Sequence, residues 1–264
     1  METESQPELQ SASKGSIEIV DEKLKSILNP QAPIEVLAEG YSWSEGPLWL
    51  ADQKMLIFSD VPKNTIYSWS EEKGAGVYLT PSGFTGENFE GSEPGSNGLT
   101  LNNQGELVLC QHGKRVVSIM KAELSKPEPK YEYIAETFEG KRFNSPNDLI
   151  FDKAGNLYFT DPPYGLPGQM DDPGKEISFQ GVYRVSTDGD VTLLTDELTR
   201  PNGLALSPDE KTLYVANSDP EKAIWMAYEL DDTGKIQSKK LFYDVTDWVP
   251  KAPGLPDGLK IDDQ

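Results

Sequence analysis

Short apolar runs separated by polar turns cover the chain from about residue 43 onward. They are rich in β-branched and aromatic residues, are bounded by Gly, Pro, Asn and Asp, and show almost no helical periodicity. These runs predict β-strands at MLIFSD, TIYSWS, GVYLT, ELVLCQ, VVSIM, YEYIAE, NLYFTD, GVYRVS, VTLLTD, TLYVANS, AIWMAYEL and KLFYDV. Upstream, residues 20–28 predict one or two helical turns, and residues 33–43 predict a strand that leads into the first unit.

The strands recur in a unit of roughly 50 to 55 residues. Each unit begins with an oxygen-bearing side chain, followed by Gly or Asp and then by an apolar run. We call these first residues the anchors; they are Glu45, Asn97, Asn147, Asn202 and Asp257. Four antiparallel strands per unit is the pattern of a β-propeller blade. A β-solenoid has shorter, parallel repeats, and a sandwich needs no constant repeat length, so we predict an all-β propeller.

The last unit is incomplete, because the sequence ends soon after Asp257. An open ring of blades would expose two unpaired sheet edges. We therefore expect residues 16–264 to form a single propeller domain that lacks its C-terminal blades, preceded by a disordered leader at residues 1–15. A closed four-bladed ring with a tail is the alternative, but it leaves Asp257 without a role.

Composition limits the partners. The formal net charge of −20 disfavours nucleic acid and anionic membranes, since binding either requires clustered Lys and Arg. Cys110 is the single cysteine, so the chain has no internal disulfide and no thiolate metal site, and we expect this thiol in the core. The polar N-terminus lacks a hydrophobic signal core. We expect a soluble protein and leave the compartment open between cytoplasm and periplasm.

The anchors carry the candidate chemistry. If the units surround an axis, the five anchors meet at one height, and their carboxylate and amide oxygens suit a hard cation such as Ca²⁺ or Mg²⁺. The two carboxylates, Glu45 and Asp257, match a divalent charge. The alternative for each anchor is a simple turn residue, because Asn-Gly and Asp-Gly are common turn pairs.

Two long loops mark the functional end of the predicted ring. Counting antiparallel strands puts the loop at residues 81–96 and the loop at residues 161–180 at the same end as the anchors. Long loops over a rigid scaffold often carry binding and catalytic residues.

Several segments together resemble the gluconolactonase/regucalcin (senescence marker protein) family. The segments are EGPLW, SPNDLIFD, FTDPPYG, RPNGLALSPD and PDGLKID. The resemblance runs from about residue 39 to the last residue. It implies a six-bladed propeller, truncated here in or after blade five, that hydrolyses sugar lactones with a divalent cation on its axis. The cation is foremost Ca²⁺, with Mg²⁺, Mn²⁺ or Zn²⁺ as alternatives.

The resemblance also assigns residues. It implies that Glu45, Asn202 and Asp257 bind the metal, that Asn147 completes the site or contacts substrate, and that Asp257 serves as the catalytic base. The cation would polarise the lactone carbonyl. Regucalcin-like members carry an Arg two residues before the equivalent of Asn147; Ser145 stands there in this chain.

Three further residues lie near the predicted site. His112, the one histidine, follows a strand at the anchor end; it is a candidate catalytic or substrate-contacting residue, with a structural role as the alternative. Asn97 belongs to the anchors and is a candidate substrate ligand. Tyr164, in DPPYG, is a candidate wall of the substrate pocket, with loop packing as the alternative.

The leading interpretation is therefore a metal-dependent lactonase with a small-molecule lactone as its partner. The alternatives are a non-catalytic propeller that binds a ligand or protein, and a calcium-binding regulatory protein without turnover. A propeller fold alone does not decide between them, because propellers host many activities.

Overall fold

The computed structural model describes residues 15–252 and 254–262, so all but the last residue of the predicted leader lies outside the described part. The strands are β1 (Ser44–Leu50), β2 (Met55–Asp60), β3 (Thr65–Ser70), β4 (Gly74–Leu79), β5 (Ser96–Leu101), β6 (Leu107–Gln111), β7 (Val116–Met120), β8 (Tyr131–Ala135), β9 (Thr137–Phe138), β10 (Lys141–Arg142), β11 (Leu149–Phe151), β12 (Leu157–Asp161), β13 (Gly181–Val185), β14 (Val191–Thr195), β15 (Pro201–Leu206), β16 (Thr212–Asp219), β17 (Lys222–Leu230) and β18 (Ile236–Asp244). Short 3₁₀ helices cover Glu22–Ser26, Gln169–Asp171 and Thr246–Trp248.

The described residues fall into a short N-terminal unit that ends at Gly40 and a large unit that begins at Tyr41. The N-terminal unit contains the 3₁₀ helix Glu22–Ser26, which agrees with the predicted helical turns. Asp21 caps it, because its side chain accepts a hydrogen bond from the backbone of Lys23 at 2.9 Å.

The large unit is built from four-stranded antiparallel sheets. Sheet 1 is β1-β2-β3-β4, sheet 2 is β5-β6-β7-β8, sheet 3 is β11-β12-β13-β14 and sheet 4 is β15-β16-β17-β18. A small hairpin, β9-β10, separates sheets 2 and 3. Each large sheet follows chain order, and its first strand contacts the first strand of the next sheet. This is the arrangement of propeller blades, and every predicted strand run from MLIFSD onward is confirmed.

The core lies between successive sheets, which explains the continuous apolar runs. In β6, Leu107 and Leu109 face sheet 1, whereas Val108 and Cys110 face sheet 3. A third cluster joins sheets 3 and 4 around Tyr228. Strands buried on both faces lose the apolar-polar alternation of a half-exposed sheet. Cys110 is fully buried, as expected, and burial raises the pKa of its thiol.

The strand predicted at residues 33–43 is wrong, because the structure has no strand within that range. Ile34, Val36 and Leu37 are exposed, so the apolar side chains of this segment are not buried in a sheet. Among the described residues, no helix has both the length and the apolar character needed to cross a bilayer.

Candidate active and metal site

Three of the anchors, Glu45, Asn97 and Asn202, lie where the first strand of the sheet departs from regular pairing. The register between the first and second strands shifts between Glu45 and Leu48 in sheet 1 and between Ser96 and Leu99 in sheet 2. The same shift occurs in sheet 4, just after Pro201. Such a bulge frees a residue from the ladder and redirects its side chain. The anchors of these three sheets therefore belong to irregular strand starts, not to turns between strands.

The Gly that follows an anchor permits close contact with the next sheet. A Cβ atom on Gly98 would lie 2.5 Å from the carbonyl oxygen of Asn147, and one on Gly203 would overlap the carbonyl oxygen of Asp257. The Gly98 N–H also donates to the Asn147 carbonyl at 2.8 Å. Glycine is required here for close backbone approach, which is why the Asn-Gly pair recurs.

Hydroxyl groups from the second strands hold the next anchor as well. Ser59 donates to the backbone carbonyl of Asn97 at 2.8 Å, and Thr160 donates to that of Asn202 at 2.8 Å. Both hydroxyl-bearing residues are fully buried. The main chain at these two anchors is thus fixed by the preceding sheet, which limits how far the anchor side chains move.

A buried polar residue at or near the end of three of the second strands fixes the segment before the anchor. Asp161 accepts the backbone N–H groups of Asn144 and Ser145, both at 2.8 Å. Asn217 accepts the N–H of Arg200 at 2.8 Å. Asp60 binds the N–H groups that precede Glu45 in the same way. These residues were not predicted, although their signal was present as a polar residue that closes an apolar strand.

The anchors surround one cavity of about 250 Å³. All the predicted site residues except His112 line it: Glu45, Asn97, Asn147, Tyr164, Asn202 and Asp257. The loop before Asn97 and the loop at residues 161–180 both contribute lining residues, in agreement with the end of the fold predicted for the site.

Glu45 is the more buried of the two anchor carboxylates. Burial and the nearby charge of Asp257 raise the pKa of Glu45 to about 7. The indole N–H of Trp43 opposes this shift by donating to Glu45 Oε1 at 2.6 Å. A buried carboxylate beside a second negative charge forms a site that a positive charge would stabilise.

Asn147 has a polar atom aimed at no protein partner. Its Nδ2 donates to Asn202 Oδ1 at 2.9 Å, which joins the anchors of sheets 3 and 4. Its Oδ1 is buried and has no hydrogen-bond partner among the described residues. A buried amide oxygen without a donor is costly unless something else satisfies it.

Asp257 lies on an exposed segment outside the sheets. Its Oδ1 accepts a hydrogen bond from the adjacent Gly258 N–H at 3.0 Å, and its backbone packs on Gly203. Its side chain still lines the cavity and acts electrostatically on Glu45.

His112 occupies a different position from the anchors. Its side chain is 0% exposed and does not line the cavity. Its Nδ1 lies 2.7 Å from Oε2 of Glu93, and Glu93 does line the cavity. His112 is thus connected to the cavity by its hydrogen bond to Glu93.

Tyr164 forms part of the cavity wall, and burial raises the pKa of its phenol to about 12. Ser145, at the position where the resemblance to regucalcin-like members implies an Arg, is fully buried. Its hydroxyl donates to Pro162 O at 2.6 Å and accepts the Gly165 N–H at 2.9 Å, which holds the loop.

Sequence reasoning missed two charged residues of the cavity, Glu93 and Arg200. Arg200 stands two residues before the Asn202 anchor, in the place that Ser145 takes relative to Asn147. That spacing was a usable signal for Arg200. Glu93 lies within a long loop, and no repeat marks its position.

The donor set fits a hard cation in part. In residues 15–252 and 254–262, no group of three or more His, Cys, Asp and Glu side chains is close enough to hold a metal ion. The cavity instead combines the carboxylates of Glu45, Glu93 and Asp257 with amide oxygens, one of them the unpartnered Oδ1 of Asn147. Oxygen donors of this kind suit Ca²⁺ or Mg²⁺ better than they suit softer metals.

Comparison with known proteins gives the family. The model of the SMP-30/Gluconolactonase/LRE-like region matches residues 43–264. The chain belongs to this family. Its relatives include a gluconolactonase of Zymomonas mobilis subsp. mobilis, which is 41% identical over 255 residues that cover 95% of this chain and 70% of the relative.

Two solved structures that are similar to this member of the SMP-30/gluconolactonase family support the fold. A gluconolactonase from Xanthomonas campestris has a TM-score of 0.70 at 32% identity, covering 87% of this chain and 70% of that one. A calcium-binding regucalcin from Agrobacterium tumefaciens has a TM-score of 0.53 at 17% identity, covering 75% and 58%, and this likeness shows the fold alone.

Proposed function

We propose that this chain hydrolyses a small sugar lactone in the cavity surrounded by the anchors, with the help of a divalent cation, foremost Ca²⁺. The chain is a lactone-hydrolysing enzyme of its family, as its 41% identity to a gluconolactonase supports. One observation supports this location for the active site: anchor side chains from four sheets and from the C-terminal segment line the same cavity.

Glu45, Asn147, Asn202 and Asp257 would hold the cation. Glu45 and Asp257 supply two negative charges, and the unpartnered Oδ1 of Asn147 supplies a neutral donor. When bound, such an ion polarises the lactone carbonyl and stabilises the negative charge that develops on its oxygen. The raised pKa of Glu45 supports the proposal, because burial and the charge of Asp257 both disfavour the ionised carboxylate, and a bound cation would stabilise it.

Other cavity residues orient the substrate. Asn97 presents an amide that donates to and accepts from sugar hydroxyls. Arg200 supplies fixed N–H donors, and Tyr164 supplies a wall with a hydroxyl that stays protonated at neutral pH. Mixed donors and acceptors around a small pocket suit a polyhydroxylated ring better than an apolar ligand.

The test measures hydrolysis of γ- and δ-sugar lactones, corrected for the spontaneous reaction, with and without a chelator. We expect turnover that falls at least tenfold on chelation and returns with Ca²⁺. Glu45→Ala and Asp257→Ala should each abolish this response, whereas Glu90→Ala, an exposed residue outside the cavity, should not.

Chelator-insensitive turnover with unchanged Glu45→Ala kinetics would remove the cation from the proposal. Ca²⁺ binding with no turnover on any lactone would favour a regulatory calcium-binding protein.

A further inference from the structure

One carboxylate reaches the cavity from outside the set of anchors. Glu93 lies in the loop between β4 and β5; its side chain is 27% exposed, and it lines the same cavity as the anchors. It acts electrostatically on Glu45, so the two carboxylates face a common space. Neither the repeat pattern nor the resemblance assigns it a role.

A buried histidine holds this carboxylate in one orientation. His112 Nδ1 lies 2.7 Å from Glu93 Oε2, and since a carboxylate is an acceptor only, Nδ1 is the donor. The imidazole is 0% exposed. Its Nε2 is buried and has no hydrogen-bond partner among the described residues. Within the described part of the chain, the ring nitrogens of His112 therefore bind Glu93 alone.

The backbone around the pair is tightly fixed. The His112 N–H donates to the Gly95 carbonyl at 3.0 Å, which ties the end of β6 to the residue two positions after Glu93. A Cβ atom on Gly113 would overlap the carbonyl oxygen of Pro94, and one on Gly165 would lie 2.7 Å from the Cβ of His112. Both long loops therefore pack closely against Glu93 and His112.

Lactone hydrolysis needs a base that a cation does not occupy. A carboxylate bound to a cation is a weak base, which disfavours Glu45 and Asp257 for this step if both hold the ion. We infer that Glu93 is the general base that activates the attacking water, and that His112 is the positioning residue that aims it. This inference rests on the proposed function for two points, the hydrolysis in this cavity and the cation held by Glu45 and Asp257.

In this reaction Glu93 accepts one proton and later returns it. Glu93 takes one proton from water as the water oxygen bonds to the lactone carbonyl carbon. The tetrahedral adduct then collapses, the ring C–O bond breaks, and the leaving ring oxygen takes the same proton back from Glu93. The product is the open hydroxy acid, and the carboxylate is regenerated.

The experiment compares Glu93→Gln with Glu90→Gln in the whole protein. Glu90 lies in the same loop but is exposed and outside the cavity, so it matches the charge change. With a sugar lactone and Ca²⁺, we expect Glu93→Gln to lower kcat by about 10²- to 10⁴-fold with KM changed less than threefold. Glu90→Gln should match the wild type, and Ca²⁺ binding measured by calorimetry should persist in both.

The positioning role of His112 has its own test. His112→Asn keeps a donor near the place of Nδ1 and should retain more kcat than His112→Leu, which keeps volume and loses the donor. In a double-mutant cycle, His112→Leu should add little to the loss caused by Glu93→Gln, because both changes remove one function.

Wild-type kcat in Glu93→Gln would overturn the inference, as would loss of Ca²⁺ binding in that variant, which would make Glu93 a ligand. Additive losses in the double variant would overturn the pairing with His112. Failure of the proposed cation role is a separate result, because it appears as chelator-insensitive turnover of the wild type.

Discussion

The side-chain amide of Asn147 donates a hydrogen bond to the side-chain oxygen of Asn202 at 2.9 Å, which links the anchors of sheets 3 and 4. Both residues are more than nine-tenths buried. The link fixes Asn147 so that its Oδ1 carries no protein hydrogen bond in the described part of the chain. A direct contact between two anchors means that changing either one alters both.

Asn147→Asp tests this link. The new carboxylate would face Asn202 Oδ1 without a donor between them, so we expect the metal-free protein to lose about 1–3 kcal/mol of stability. Ca²⁺ should recover most of this loss, because it attracts the added charge. Thermal unfolding with and without Ca²⁺ measures the effect. Asn103→Asp, which lies at an exposed site away from the cavity, should show no added response to Ca²⁺; an equal response in the two variants would contradict the role of Asn147.

Gly98→Ala tests the close contact between sheets 2 and 3. The added methyl group would lie 2.5 Å from Asn147 O and 2.9 Å from the Cα of Asp148, so the backbone has to move. We expect a loss of roughly 1–3 kcal/mol in the free energy of unfolding, typical of overpacking, and weaker Ca²⁺ binding. Gly76→Ala in β4 is the matched control, because a Cβ atom there meets nothing within 4 Å. Equal unfolding midpoints for the two variants would rule out the contact as a constraint.

Asp161 makes stability depend on pH. Burial raises its pKa to about 7, even though two backbone N–H groups favour the charged form. The folded protein therefore holds a proton that the unfolded chain releases near pH 4, so this residue's contribution is full at low pH and declines as pH rises to about 7. The decline approaches about 4 kcal/mol, at roughly 1.4 kcal/mol per pKa unit.

Asp161→Asn should remove this dependence. Subtracting its unfolding free energy from that of the wild type, by urea titration from pH 4 to pH 8, should give a difference that falls steadily with pH. A difference that stays constant or grows with pH would show that the carboxyl group is ionised in the fold throughout.

Arg200→Gln tests substrate orientation. The guanidinium lines the cavity, so its loss removes a charged hydrogen bond worth about 1.5–3 kcal/mol to a lactone oxygen. We expect KM for a sugar lactone to rise at least tenfold, with a smaller change in kcat. Arg142→Gln, at an exposed site outside the cavity, should leave KM unchanged. A fall in kcat alone would instead place Arg200 at the reacting carbonyl.

The strand pattern and the anchor spacing were readable from the sequence because each depends on local chemistry repeated every blade. Apolar runs ending at Asp60, Gln111, Asp161 and Asn217 predicted β2, β6, β12 and β16 directly. The meaning of Gly98 was harder to read, because a turn pair and a close-packed strand start look alike until the neighbouring sheet is present.

Residues that depend on the path of a loop were not predictable. Glu93 reaches the cavity through a segment with no regular structure, and His112 contacts it from the turn after β6, 19 positions away in the sequence. The false strand at residues 33–43 has the same origin, since a β-prone segment forms a strand only where a partner edge exists. The number of blades and the domain limits stay predictions.

Hydrogen bonds and close packing link each anchor to the sheet before it in the chain. Sheet 1 braces the backbone of Asn97, sheet 2 braces Asn147, sheet 3 braces Asn202, and sheet 4 braces Asp257. A shift of the backbone in one sheet therefore displaces the anchor that this sheet holds. The position of Asp257 depends on the geometry of every sheet before it. Substitutions in the early sheets are therefore expected to change the site without contacting it.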